Sequence, residues 1–85
     1  MLLFREHPFA VPYKSSIMIG TFDRLVINSA VGKVVSATIV DFKTGLRADY
    51  SSQMDAYRHA VYSMYSPQHI LVHGIFLDSG DVIEY

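Results

Sequence analysis

The sequence predicts a single α/β domain with the element order β-β-β-α-β-β. Apolar and β-branched residues form runs of strand type that are separated by turn residues, and one segment has apolar residues at helical spacing. The predicted strands are residues 1–15, 16–28, 34–43, 69–77 and 82–85, and the predicted helix is residues 51–65. Three strands before the helix and two after it indicate a mixed sheet, with an antiparallel meander followed by a crossover helix and two short strands.

Length and composition limit the possible classes of protein. The 85 residues are 51% hydrophobic and 18% charged, so we expect residues 1–85 to fold as one small globular domain. The absence of cysteine excludes disulfides and thiolate-ligated metal sites. No apolar run reaches the ~18 residues of a membrane span, and the first residues do not resemble a signal peptide. We therefore expect a cytoplasmic protein that does not enter a membrane.

The charge balance bears on nucleic-acid binding. A net charge of −1 without a lysine or arginine run argues against a protein that binds nucleic acid by charge alone. It does not argue against a catalytic module that another part of a larger protein delivers to nucleic acid.

The first three strands are expected to form a meander. Pro8 and Pro12 each lack a backbone donor, which places the first strand at a sheet edge. The second strand is apolar on both faces, as in sheets that are covered on both sides. We predict a tight turn at Val31-Gly32, with opposed residues of the second and third strands summing to about 64 in number.

The predicted helix has recognisable ends. Ser51 or Ser52 can cap its first turn, and Ser52 and Asp55 have capping-box spacing. Ser66-Pro67 ends it. The packing stripe is predicted to consist of Met54, Tyr57, Val61 and Met64.

The third strand carries the residues on which the functional interpretation depends. Asp41 and Lys43 lie at i and i+2, so their side chains share one face, while Val40 and Phe42 are expected to turn to the opposite, buried face. A charged pair at the end of an apolar strand costs free energy unless it is used. It is either a strand-end salt bridge or part of a site in which Asp41 binds a cation and Lys43 contacts a phosphate.

A second carboxylate favours the functional alternative. Asp23 interrupts an apolar face of the second strand, and the predicted register places it opposite Asp41, with the Cβ atoms about 5 Å apart. Two carboxylates suit Mg²⁺ or Mn²⁺, which prefer oxygen ligands. Such a metal can polarise a phosphoryl oxygen, and a nearby lysine can stabilise the developing charge. Gln53 and Tyr57 lie at i and i+4, on one side of the helix.

These segments together resemble the PD-(D/E)XK nuclease superfamily, specifically the RecB-like nuclease domain at the C-terminus of UvrD/RecB-type helicases. The matching segments are Gly20-Thr21-Phe22-Asp23-Arg24-Leu25-Val26, Ile39-Val40-Asp41-Phe42-Lys43-Thr44, the helix pattern Tyr50-x-x-Gln53-x-x-x-Tyr57 and, more weakly, Glu6-x-Pro8-Phe9. The resemblance runs from about residue 5 to the end. It implies a restriction-endonuclease-like core and a metal-dependent deoxyribonuclease that belongs to a larger helicase–nuclease of DNA repair or recombination.

The resemblance also implies a role for each matching residue. Asp23, Asp41 and the backbone carbonyl of Phe42 would bind Mg²⁺ or Mn²⁺, and Lys43 would be the catalytic lysine. Gln53 and Tyr57 would contact DNA or support the active site. For Tyr57, a plain packing role remains an alternative.

One departure from the family concerns its first helix and the histidine associated with it. The family places an amphipathic helix before the first strand, whereas this chain opens directly on the strand. His7 lies beside Pro8 in an extended segment and is a poor substitute, and His59 is expected to face solvent. His69 and His73 share a face of the fourth strand, which does not by itself indicate a zinc site.

This departure leads to expectations about partners. We expect 1–85 to be the C-terminal portion of a nuclease domain, with a sheet face left partly bare. The remainder of a helicase–nuclease, another chain or a second copy would cover that face. Besides a nuclease that acts on DNA, two alternatives stay open. One is an inactive nuclease fold that docks DNA or self-associates; the other is an unrelated small α/β domain with surface ion pairs.

Overall fold

The computed structural model of the chain describes residues 1–44 and 50–85. Its helices and strands follow one another as the sequence predicts, in the order β-β-β-α-β-β. The elements are β1 (Leu2–Tyr13), β2 (Ser16–Ala30), β3 (Lys33–Lys43), α1 (Ser51–Tyr65), β4 (His69–Phe76) and β5 (Asp81–Glu84).

The five strands form one mixed sheet in the order β1-β2-β3-β4-β5. Neighbouring strands are antiparallel except for β3 and β4, which are parallel. Two parallel strands need a long crossover connection, and α1 lies in that connection. The predicted antiparallel meander with one crossover helix is therefore confirmed.

The register between β2 and β3 is the predicted one. Arg24 pairs with Val40 and Ile27 with Ala37, so opposed residue numbers sum to 64, with a one-residue shift after Asn28 next to the turn. The turn residues Val31 and Gly32 have φ values of 53° and 75°. Both lie in the left-handed region that a tight two-residue hairpin of type I′ requires.

The β1–β2 hairpin changes its buried face half-way along. In the half near the β1–β2 turn, Phe22 is fully buried, yet the next buried residues of β2 are Leu25 and Ile27, an odd number of positions further on. Glu6 of β1, at the same level, has a φ of 50°, which an extended strand does not adopt. The change of face lets the turn half of the hairpin pack against α1 while the other half stays in the sheet.

One layer of core lies between α1 and the sheet. Met54 and Val61 of α1 are fully buried, as are Ile39 and Val72 of the two parallel strands. Arg58 donates hydrogen bonds from α1 to the carbonyl oxygens of Ile70 and Tyr85, the first in β4 and the second after β5. The helix is thus held to the parallel half of the sheet by apolar packing and by hydrogen bonds from the Arg58 side chain to backbone carbonyl oxygens.

Two details of the predicted helix are wrong. The residue at its N-cap is Tyr50, which makes no side-chain cap hydrogen bond, so neither Ser51 nor Ser52 occupies the cap position. Met64 is exposed, whereas Ala60 is fully buried and Tyr65 packs against the core. The buried stripe of the helix is shifted toward Ala60, because the turn half of the β1–β2 hairpin covers that side of α1.

The predicted direction of the third strand's side chains is also wrong. Asp41 lies on the face that α1 covers, together with Ala37 and Ile39, and is only 5% exposed. Phe42 lies on the opposite face and is 37% exposed, and Val40 beside it is half-buried. In the described part of the chain α1 is the only helix, so that opposite face is left open and the sheet is covered on one side rather than two.

None of the described residues forms a helix that is both long enough and apolar enough to cross a membrane.

Candidate active site

The candidate site forms where β3 ends, on the face covered by α1. Asp41 and Lys43 project to the same face because they lie two residues apart on an extended strand. Their charged atoms meet: Nζ of Lys43 is 2.6 Å from Oδ2 of Asp41. The pair is largely shielded from water, with the Lys43 side chain 13% exposed and that of Asp41 7%.

Asp23 joins this pair from β2. Its Oδ2 accepts a hydrogen bond of 2.9 Å from the backbone N–H of Phe42, between the two charged residues of β3. The regular β2–β3 pairing ends one step earlier, at Arg24 and Val40. The carboxylate of Asp23 thus accepts the hydrogen bond from the backbone N–H of Phe42. This contact lies where the change of face separates β2 from β3.

Lys43 connects the strand to the helix. Its Nζ donates a hydrogen bond of 2.6 Å to Oε1 of Gln53, and Nε2 of Gln53 donates one of 3.2 Å to the hydroxyl of Tyr57. The ammonium also lies 4.2 Å from the ring centroid of Tyr50, which is a cation–π contact. The i, i+4 spacing of Gln53 and Tyr57 therefore produces a continuous chain of contacts from Asp41 to Tyr57.

The surroundings of Asp41 disfavour the charged form of its carboxyl group. Burial raises its pKa above the ordinary value, and the adjacent carboxyl of Asp23 raises it further, while Lys43 acts in the opposite direction. Although Lys43 approaches closely, Oδ2 of Asp41 has no hydrogen-bond partner of good geometry among the described residues. The contact with Lys43 is therefore a pairing of charges that leaves a buried oxygen without an aligned donor.

The hydroxyl of Tyr57 faces the same carboxylates. Burial raises its pKa, the negative charges of Asp41 and Asp23 raise it further, and the hydrogen bond from Gln53 acts in the opposite direction. A tyrosine with a raised pKa keeps its proton at neutral pH. The ring also packs at edge-to-face angles against Phe9 and Phe22, so Tyr57 is part of the core and at the same time borders the site.

The donor set fits a hard divalent cation. Two adjacent carboxylates, one with a buried oxygen that lacks an aligned donor, offer the oxygen ligands that Mg²⁺ and Mn²⁺ prefer. The described residues contain no cluster of three or more histidine, cysteine or acidic residues suited to a metal. Further ligands would have to be backbone oxygens or water, and the role of the Phe42 carbonyl stays a prediction.

The histidines of β1 and α1 make contacts away from the carboxylates. His7 stacks on the rings of Phe4 and Phe22, and its Nε2 lies 3.3 Å from the hydroxyl of Tyr65. His59 is exposed, as predicted, and contacts the carbonyl oxygen of Pro12 at 2.8 Å.

The two histidines of β4 differ in exposure and in contacts. His69 is exposed, and Nε2 of His73 lies 3.8 Å from Glu84 of β5. Their shared face is the open one, away from Asp23 and Asp41.

Sequence reasoning did not assign a role to Tyr50. Its ring lies against the ammonium of Lys43 and, on another side, 6.1 Å from the ring of Phe76. The spacing could have indicated this role, because Tyr50 precedes Gln53 by three residues and one helical turn brings both toward the end of β3.

Comparison of the sequence with protein-family models finds no family that matches, and comparison with curated proteins finds no match either. The interpretation of the site therefore depends on its geometry and on the motifs in the sequence.

Proposed function

We propose that this chain is the metal-dependent DNA nuclease module of a helicase–nuclease, with a restriction-endonuclease-like core. The observation that carries the proposal is the meeting of Asp23, Asp41 and Lys43 at the end of β3, with Gln53 in contact with the lysine. The proposal is supported further by the order and spacing of the three motif segments and by the buried Oδ2 of Asp41, which pairs in charge with Lys43 but has no aligned hydrogen-bond donor among the described residues.

Each residue has a role that its surroundings support. Asp23 and Asp41 would hold Mg²⁺ or Mn²⁺, and the ion would polarise a phosphoryl oxygen and lower the pKa of a water bound to it. Lys43 would leave Asp41 for the scissile phosphate and stabilise the negative charge that develops there. Gln53 keeps the ammonium in place through its amide oxygen, and Tyr57 orients Gln53.

The substrate class follows from the same chemistry. A cation, a lysine ammonium and neutral hydrogen-bonding groups are complementary to a phosphodiester. With a net charge of −1, the chain has no excess of positive charge to hold DNA by itself. The proposed module therefore depends on the motor part of a larger protein to deliver the DNA, in a repair or recombination process in the cytoplasm.

Cleavage of end-labelled linear DNA with and without Mn²⁺ tests this function. We expect metal-dependent cleavage by the wild-type chain and its loss in Asp41→Ala. Asp55→Ala serves as a matched control, because Asp55 is an exposed carboxylate of α1. Lys43→Met should reduce the cleavage rate by about 10²- to 10³-fold, the typical cost of removing one stabilising donor.

Metal affinity gives the second readout of the same experiment. Calorimetric titration with Mn²⁺ should show binding to the wild type and to Asp55→Ala but not to Asp41→Ala. Unchanged metal affinity in Asp41→Ala would contradict the assignment of the site.

A second candidate is an inactive nuclease fold that serves as a structural or DNA-docking module. It is favoured by the position of Lys43, whose ammonium occupies the site beside Asp41, and by the lack of a third acidic or histidine ligand among the described residues. Metal binding without cleavage in the wild-type chain would select this candidate.

A further inference from the structure

The sheet face opposite α1, which we call the open face, carries apolar side chains exposed to solvent. Leu3 is 50% exposed, Leu71 43%, Phe42 37% and Val82 60%. Strand register places the side chains of this face in rows across the sheet, three of which contain apolar residues. These three rows are Leu3-Val26-Thr38-Leu71, Arg5-Arg24-Val40-His73-Glu84 and Phe42-Ile75-Val82, and a further row, Asn28-Ser36-His69, is polar.

The middle row has an uneven distribution of charge. Arg5 and Arg24 stand directly opposite one another on β1 and β2. Glu84 stands at the other end of the row, on β5, beside His73. Like charges in directly opposed positions are destabilising. Arg24 donates a hydrogen bond to the carbonyl oxygen of Asp23 and lies over the ring of Phe42; neither group carries a negative charge, so this end of the row is positive. The row is thus positive at one side of the sheet, apolar at Val40 in the middle and negative at the other side.

This distribution is complementary to itself under one particular rotation. When two copies meet face to face about a two-fold axis parallel to β3, β1 of one copy lies over β5 of its partner. Arg5 then meets the partner's Glu84, while Val40 meets its own equivalent at the axis. A two-fold axis perpendicular to the strands would instead place Arg5 on Arg5 and Glu84 on Glu84, which like-charge repulsion opposes.

We propose that the open face is the interface of a homodimer in which two sheets stack about a two-fold axis parallel to β3. Self-complementary patches of this kind are what a two-fold dimer requires. The two longest dimensions of the chain are 40 and 32 Å, so its broad face has room for the ~800 Å² per partner of a standard interface. Val40 and the apolar residues of the two flanking rows would form the layer between the sheets, as in a β-sandwich, with the charged ends of the middle row at its two sides.

The dimer leaves the candidate active site untouched. Asp41 lies on the α1 face of the sheet and Phe42 on the open face, so the two sites of a dimer would face away from each other. The dimer does not depend on the proposed nuclease function. Asp41→Ala is expected to remain a dimer, which separates a failure of one proposal from a failure of the other.

Sedimentation equilibrium of charge-reversed variants tests the arrangement. We expect a dimer for the wild type, and an increase of the dissociation constant on the order of tenfold for Glu84→Arg and for Arg5→Glu, because each reversal occurs twice in a symmetric dimer. The double variant R5E/E84R restores both contacts and should return to the wild-type affinity. Asp55→Arg is the matched control, because Asp55 is an exposed acidic residue on α1.

An apolar variant provides the second measurement. Leu71→Asp should be monomeric and still folded by circular dichroism, because Leu71 is 43% exposed in the single chain. A wild-type monomer would overturn the proposal, as would open-ended aggregates. Dimers that persist in both Leu71→Asp and Glu84→Arg would also overturn it, because they would use another surface.

Discussion

At the scale of single residues, Asp41 combines burial with a charge that its surroundings do not fully satisfy. Its carboxyl group lies on the core face of β3, next to a second carboxyl group, and among residues 1–44 and 50–85 Lys43 offsets the resulting destabilisation. A group arranged in this way lowers the stability of the folded chain when it is ionised. A bound divalent cation would remove that cost, which is a reason to find such an aspartate at a metal site and not in a core.

This cost predicts that Asp41→Asn stabilises the chain at neutral pH in the presence of EDTA. Because the pKa of Asp41 is raised in the folded state above the ordinary 3.8, its stabilising contribution is complete below that value and is lost as the pH rises through the folded pKa. Asparagine does not titrate and resembles the protonated form. Urea unfolding should therefore show Asp41→Asn to be more stable than wild type at neutral pH and equal to it in acid.

The control for this measurement is Asp55→Asn, which changes an exposed carboxylate of α1. We expect no comparable gain from it. If Asp41→Asn were less stable than wild type at neutral pH, the charge pair with Lys43 would outweigh burial, and the direction of the pKa shift would be wrong.

At the scale of elements, the turn between β2 and β3 contains a residue that its backbone does not favour. Val31 has a φ of 53° and a completely exposed side chain. A β-branched residue is sterically disfavoured in the left-handed region. Because the side chain of Val31 is exposed, no packing contact offsets this destabilisation. The hairpin that aligns Asp23 with Asp41 thus forms because its strands pair well, with a turn that is poorly suited at one position.

Replacement of Val31 should therefore stabilise the hairpin. Asn-Gly is the favoured pair for a two-residue type I′ turn, so we expect Val31→Asn to gain about 1 kcal/mol in the free energy of unfolding. For a chain of this size, that gain raises the melting temperature by about 4–8 °C. Differential scanning calorimetry would measure it.

Ile17→Asn is a matched control for this turn variant. It also removes an exposed apolar side chain, since Ile17 is 61% exposed, but from a strand whose backbone is extended. An equal rise of melting temperature in both variants would show that the gain came from surface polarity and not from the turn.

At the scale of the whole molecule, Phe22 joins the parts of the fold. It is fully buried in the half of the β1–β2 hairpin near its turn, and its ring meets those of Phe9 and Tyr57 with centroid separations of 4.6 and 5.5 Å. The hairpin, the helix and the edge of the candidate site thus share one packed cluster. Asp23 follows Phe22 directly, so this packing also fixes where that carboxylate lies.

Truncation of Phe22 should destabilise the entire chain. A Phe→Ala change in a core typically costs about 3–5 kcal/mol, which is a large part of the about 5–15 kcal/mol that holds a domain together. Chemical denaturation of Phe22→Ala should show this loss. Ile19→Ala in the same strand, where the side chain is 79% exposed, should change the free energy of unfolding by no more than about 0.5 kcal/mol. Equal effects of both variants would contradict the central role of Phe22.

From the amino-acid pattern alone we could predict the order of the elements, the β2–β3 register and the approach of Asp23 to Asp41. These features depend on local signals: hydrophobic periodicity, a glycine in a two-residue turn and the spacing of polar residues on strands. The two-residue turn at Val31-Gly32 sets opposed residues next to it to a sum of 63, and the irregularity after Asn28 shifts the rest of the pairing to 64. Gln53 and Tyr57 were likewise paired by helical spacing.

Which face of β3 is covered could not be predicted in this way. Val40 and Phe42 on one face are at least as apolar as Ala37 and Ile39 on the other, so hydrophobicity favoured the face that is not covered. The face is chosen by the side on which α1 returns between the parallel strands, a non-local property of the crossover. For the same reason the burial of Asp41, the contact of Tyr50 with Lys43 and the exposure of the open face could not be obtained from periodicity.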